Sequence, residues 1–162
     1  MIFVIRCCPV CTLVASMVTD LIVRNFFNEY ASRMNNALFS DPIDLDGIVQ
    51  SFAAHFVGAS PNGIQSGQND DRFRDAIRDG IAFYRNIGVR SMVIVEQQPE
   101  LLDDFHALVK IEWKCVYECE SREGEINFIN HYLVQVRSYD SIKIFSYVTG
   151  DEMKAFKEHG LL

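Results

Sequence analysis

The sequence predicts an α+β protein in which a curved, mostly antiparallel sheet packs on N-terminal helices. Three observations carry this prediction. The stretch from His106 to Val148 reads as three long strands, the first alternating Val109, Ile111, Trp113, Cys115 and Tyr117 with Lys110, Glu112, Lys114 and Glu118. Such alternation marks a sheet with one apolar and one polar face. The helical patterns lie mainly before this block, so they roof the apolar face rather than alternate with parallel strands.

Residues 17 to 39 form the first helical pattern, with Val18, Ile22, Phe26, Tyr30, Met34 and Leu38 near one side and Thr19 or Asp20 as the cap. Asp41-Pro42 breaks it, because proline disfavours helical geometry in the preceding residue. Asp44 then caps a short helix carrying Leu45, Ile48, Val49 and Phe52. His55 to Ser66 reads as a short strand pair, or a strand with a turn, around Ser60-Pro61-Asn62-Gly63. Asn69 or Asp70 caps a third helix that buries Phe73, Ile77, Ile81 and Tyr84 and stops at Gly88.

Val89 to Gln97 is the next strand, and Pro99 to Asp104 is expected to connect it to the central block. Within that block Glu123-Gly124 and Ser138-Tyr139-Asp140 are the expected turns, bounding strands at Ile126 to Arg137 and Ser141 to Val148. Thr149-Gly150-Asp151 leads into a short final helix closed by Gly160. No internal repeat or linker divides residues 17 to 162, which are expected to form one domain.

Met1 to Ser16 stand apart. They are expected to be a poorly ordered extension, with Met17 the effective start of the domain. The apolar run precedes Arg6, which is the wrong order for a secretory signal. Cys8-Pro9-Val10-Cys11 has the spacing of a thioredoxin-type redox motif, but the C-terminal antiparallel block is not the βαβ context that motif needs. The chain has five cysteines, an odd number, which argues against a disulfide scaffold. Cys115 and Cys119 lie four apart on one strand, about 13 Å at 3.3 Å per residue, too far to bridge.

Charge and hydropathy exclude some partners. The net charge is −7 and no Lys/Arg cluster is visible, which disfavours nucleic acid. No apolar run reaches the ~18–20 residues that span a bilayer, so a cytoplasmic location is expected. There is no H-E-x-x-H, no carboxylate–histidine cluster with metal spacing, no Walker loop and no dinucleotide fingerprint. Neither metal nor cofactor is therefore expected.

The order of elements resembles the NTF2-like superfamily, to which SnoaL-like proteins, ketosteroid isomerase and scytalone dehydratase belong. Several stretches are similar to a bacterial, uncharacterised subgroup of it: Phe56-Val57-Gly58-Ala59-Ser60-Pro61-Asn62-Gly63, Tyr84-Arg85-Asn86-Ile87-Gly88, Leu108 to Tyr117, Ile144 to Glu152, and His159-Gly160-Leu161-Leu162. The resemblance covers residues 17 to 162. It implies a cystatin-like or NTF2-like cone with a pocket between helices and concave sheet, and a homodimer, commonly through the sheet. It does not imply one reaction, because this fold hosts enzymes and binders alike. Ketosteroid isomerase combines a carboxylate base with a Tyr and a protonated Asp. No Asp or Glu falls at an inward position of the second or third long strand, so that set finds no match.

The candidate ligand-binding residues are Tyr30, Trp113, Tyr117, Asn130 and Tyr132. Asn130 is the polar exception in the register Ile126, Phe128, Asn130, Tyr132, Val134, Val136, so it meets a partner or faces a cavity. Trp113 and Tyr117 face the same interior, and each ring carries a polar handle. His55 and Tyr30 are the catalytic candidates, His55 on positional resemblance alone. His106 beside Asp103 and Asp104 has the chemistry of a general base but the setting of an exposed turn. His131 falls on the polar register and His159 near the end.

The sequence thus supports a binder of a small apolar ligand without clear catalytic machinery. One alternative is a small isomerase or dehydratase working by proton transfer, with His55 or Tyr30 near the substrate and Asn130 or Tyr132 as hydrogen-bond donor. The other is a dimerisation module whose interior is filled.

Overall fold

The computed structural model describes residues 18–119, 122–138 and 141–162. The extension expected at Met1 to Ser16 and the Cys8–Cys11 motif lie outside them, as do Tyr139 and Asp140 of the expected third turn. Helices α1 (Asp20–Ala37) and α2 (Leu45–Val49) come first, followed by the hairpin of β1 (Phe52–Ser60) and β2 (Gly63–Gln68). Helix α3 (Asp71–Asn86) leads into four long strands, β3 (Val89–Leu101), β4 (His106–Cys119), β5 (Arg122–Ser138) and β6 (Ser141–Val148), and α4 (Glu152–Glu158) closes the chain.

The capping residues start the helices as their chemistry dictates. Thr19 Oγ1 accepts from the Ile22 N–H, Asp44 from Gly47, Asp70 from Phe73 and Asp151 from Lys154. The buried stripe of α1 is rotated slightly from the sequence pattern. Val23, Phe27, Tyr30 and Ala31 are buried, while Ile22, Phe26 and Met34 pack partly exposed at its margin.

The six strands form one sheet in the order β2-β1-β6-β5-β4-β3. All neighbours are antiparallel except β1 and β6. Register shifts interrupt the β1–β6, β3–β4 and β5–β6 ladders, and such bulges bend a sheet. Strand β4 alternates buried and half-buried residues from Ala107 to Tyr117, which places its apolar set on the concave side. The helices cover that side. Phe27 of α1 meets Tyr132 of β5 at 5.0 Å between ring centroids, and Phe73 of α3 meets Phe52 at the same distance.

Several boundaries differ from the sequence reading. Phe52, expected on the short second helix, opens β1 instead. Strand β3 continues through Pro99, which pairs with Val109, to Leu101. Proline is tolerated there because β3 is an edge strand. Glu123-Gly124 is not a turn but the start of β5, opposite Glu118 and Tyr117. Gly124 is needed because the Tyr117 ring lies over it: a Cβ would sit 2.3 Å from the Tyr117 hydroxyl oxygen. The glycine reads as turn chemistry in sequence but serves ring packing in the fold. Among the described residues no helix is long and apolar enough to cross a membrane.

Candidate ligand-binding cavity

A cavity of about 180 Å³ lies between the concave sheet face and the helices. Helix α1 contributes Tyr30 and Met34, and α3 contributes Phe73, Ile77 and Tyr84. The sheet supplies Trp113 from β4, Phe128, Asn130 and Tyr132 from β5, and Tyr147 from β6. Thr149 and Glu152 close it from the start of α4. The volume is close to the ~150 Å³ of an engineered cavity that takes up benzene, and below the ~300–1,000 Å³ usual for drug-sized ligands. An open cleft of about 480 Å³ adjoins it and shares Tyr84, Tyr147, Thr149 and Glu152. Glu152 therefore stands where the inner cavity meets the surface.

The walls are ring-rich but carry polar atoms. Tyr30 stands edge-on to Trp113, 6.4 Å away at 75°, and to Phe52 at 6.1 Å. The Tyr84 hydroxyl donates to Glu152 Oε2 at 2.8 Å, and Asn130 Nδ2 donates to the Tyr132 hydroxyl oxygen at a long 3.4 Å. Asn130 and Trp113 are 5% and 2% exposed, yet Asn130 Oδ1 makes no hydrogen bond within the protein and Trp113 Nε1 lies near the Tyr132 hydroxyl without a bond of ordinary geometry. Unsatisfied buried groups are few in native proteins and each calls for an explanation.

Burial sets the protonation states. It pushes the Glu152 carboxyl above the ordinary carboxylate range, an effect partly offset by hydrogen bonds from Tyr84 and the Asn130 amide. Burial raises Tyr30 and Tyr84 well above the ordinary phenol range, with Tyr132 and Glu152 as like-charged neighbours respectively. It pushes Tyr132 to about 12, against the opposing pull of Asn130 and Trp113, and also raises Tyr147. The phenols are thus neutral donors at neutral pH. Glu152 is the carboxyl group of the wall, and burial favours its protonated form.

Of the sequence candidates, the fold brings Tyr30, Trp113, Asn130 and Tyr132 together at this wall. Tyr117 does not reach it. Its ring lies further along β4, over Gly124 and 6.2 Å from His159. His55 is also elsewhere: it is exposed on β1 and lines an outer groove with Val57, Ser66 and Phe145. Phe56, its neighbour, takes the inward position. The cavity therefore lacks the histidine that the catalytic alternative had placed near substrate. His106 lies on the outer side, its Nδ1 2.9 Å from both Asp103 oxygens and its Nε2 3.1 Å from Gln135 Nε2. Glu152, Tyr84 and Tyr147 were not singled out from sequence. An acidic residue beginning a helix reads as a partner for the helix dipole, and only packing against α3 turns it inward. Among the described residues no three His, Cys, Asp or Glu side chains cluster to hold a metal.

Comparison with known proteins decides the family. The family model described as NTF2-like protein (DUF6841) matches residues 19–152. The chain belongs to this NTF2-like family. No curated protein matches its sequence significantly. Solved structures share the NTF2-like fold at low identity. One is an NTF2-like protein of unknown function from Shewanella oneidensis, 14% identical, with TM-score 0.59 over 80% of this chain and 97% of that one. A ketosteroid isomerase-like protein from Erwinia carotovora is 12% identical, with TM-score 0.56 over 80% and 93%. A protein with a cystatin-like fold from Nostoc punctiforme is 10% identical, with TM-score 0.55 over 80% and 88%. At these identities the likeness concerns the NTF2-like fold alone.

Proposed function

We propose that this NTF2-like chain binds a small, largely apolar molecule in the cavity between its helices and its concave sheet face. The observation that carries the reading is the cavity itself: ring-walled, of single-ring size, and holding two buried polar atoms without a protein partner. A filled interior, as a pure dimerisation module would have, does not fit that space. Native mass spectrometry of the protein purified from cells tests the reading. The expected result is a noncovalent small-molecule adduct that Met34→Trp, which fills the cavity, abolishes. Apo protein that also takes up no small ring compound would refute it.

A second reading is proton-transfer catalysis, and Glu152 is what favours it. A carboxyl whose pKa is raised by burial and which hydrogen-bonds to Tyr84 is suited to general acid–base work. The isomerase-like neighbour lends the reading its reaction class only. Its test is solvent deuterium exchange into small cyclic ketones. Exchange by the wild type that Glu152→Gln removes supports catalysis; no exchange above the buffer rate leaves binding alone.

A homodimer through the outer sheet face belongs to the same proposal. Val93 and Ile129 are exposed there, 37% and 41%, which supports a covered face. Sedimentation equilibrium of the wild type and of Ile129→Lys tests it.

A further inference from the structure

The two orphaned atoms of the cavity specify what its occupant carries. Trp113 Nε1 is a donor only, and Asn130 Oδ1 an acceptor only. Asn130 Nδ2 faces the Tyr132 oxygen and the Glu152 carboxyl, and a carboxylate takes a donor only, so Oδ1 is left over. Trp113 and Asn130 point to the same side of the sheet, since Trp113 pairs with Phe128, two residues before Asn130 on the same inward register. A matching ligand group must accept one hydrogen bond and donate another. A hydroxyl does both with one atom, and a carboxamide with two.

Charge narrows the class further. No Lys, Arg or His lines the cavity, and Glu152 is its acidic residue. An anion would have no counter-ion there and would face the Glu152 oxygens, and an ammonium, a donor only, would leave Trp113 Nε1 without an acceptor. The space left for an occupant is about 180 Å³, enough for one ring and a small substituent. Resting on the small-molecule reading above, we infer that the cavity selects a neutral, single-ring compound bearing a hydroxyl or carboxamide group, held between Trp113 Nε1–H and Asn130 Oδ1.

Isothermal titration calorimetry with phenol, benzamide, toluene, benzoate and benzylamine tests the inference. These probes share a ring and differ in the group it carries. The expected order is phenol and benzamide at least about tenfold tighter than toluene, as expected when a ligand satisfies otherwise orphaned buried groups. Benzoate should be weakest. Asn130→Leu and Trp113→Phe each remove one of the two polar atoms. Each should bring phenol and benzamide down to the level at which the same variant binds toluene. Toluene as tight as phenol, a charged probe as the tightest, or a phenol preference that survives both variants would overturn the inference. In those cases ligand uptake still holds, so the cavity reading stands without it. If no probe binds the wild type, both fall. If one variant does not fold, the wild-type ranking and the other variant still decide.

Discussion

The Tyr84 hydroxyl donates to Glu152 Oε2 at 2.8 Å, tying the last turns of α3 to the first turn of α4. This bond spans the mouth of the cavity, because both residues also line the outer cleft. It is also one of the two groups that pull the raised Glu152 pKa back down. Tyr84→Phe should therefore raise the Glu152 pKa further. It should also cost about 1.5–3 kcal/mol when Glu152 is ionised, the usual range for a hydrogen bond to a charged group. Carboxyl-carbon NMR titration and urea denaturation measure the two effects.

Glu152 gives stability a definite pH slope. Its folded pKa lies above its ordinary value of 4.5. Between those two values the native state binds more protons than the unfolded state, so stability falls as pH rises through that window. The favourable contribution is complete below 4.5 and gone above the folded pKa. Glu152→Gln should flatten this part of the profile and be at least as stable as the wild type at neutral pH. Denaturation midpoints across a pH series show whether it does.

Asn130→Leu should cost little stability, or raise it. Truncating a satisfied buried amide costs about 1–3 kcal/mol, but here an orphaned acceptor is removed along with a long hydrogen bond to Tyr132 and the amide's interaction with Glu152, which burial keeps toward its protonated form. A thermal midpoint within a few degrees of wild type, or above it, is expected. A large fall would mean that Asn130 is part of a satisfied core network.

The contrast between Asn130 and Glu152 shows what the sequence could reveal. Asn130 interrupts an alternating apolar register, so strand periodicity alone places it inward, together with Trp113 and Tyr132. Tyr30 is likewise legible as an inward residue of a long helix. Glu152 breaks no pattern: Asp151 and Glu152 at a helix start are ordinary capping chemistry. Its role depends on how α4 docks against α3, which no local signal encodes. Tyr117 misled for the opposite reason. It continues the inward register of β4 but lies beyond the cavity, over Gly124, and period two says which face a side chain takes but not what lies above it.

Two glycines should respond oppositely to alanine. Gly88 has φ +87°, and a Cβ there would lie 2.3 Å from the Glu118 carbonyl oxygen. Gly88→Ala is expected to cost about 2 kcal/mol or more, from strain and backbone overlap together. Gly80 is in α3, and a Cβ there would meet nothing within 4 Å, so Gly80→Ala should stabilise by about 0.5–1 kcal/mol. Chemical denaturation of both variants provides the comparison.

Cysteine reactivity should follow burial. The Cys115 thiol is fully buried and pushed up to about 11, whereas Cys119 is half-buried near the end of β4. Iodoacetamide under native conditions should label Cys119 and leave Cys115 unmodified, as read by peptide mass mapping. Labelling of Cys115 at the rate of Cys119 would mean that the sheet opens at its centre.

The central claim is that the space beside Trp113 receives a small molecule. Trp113 is the chain's single tryptophan, so its indole N–H gives one resolved signal in a proton–nitrogen correlation spectrum. Titration with phenol should move that signal saturably in the direction of a new hydrogen bond, and Met34→Trp, followed at the assigned Trp113 signal, should abolish the movement. An indole signal that stays in place at saturating phenol would contradict the account.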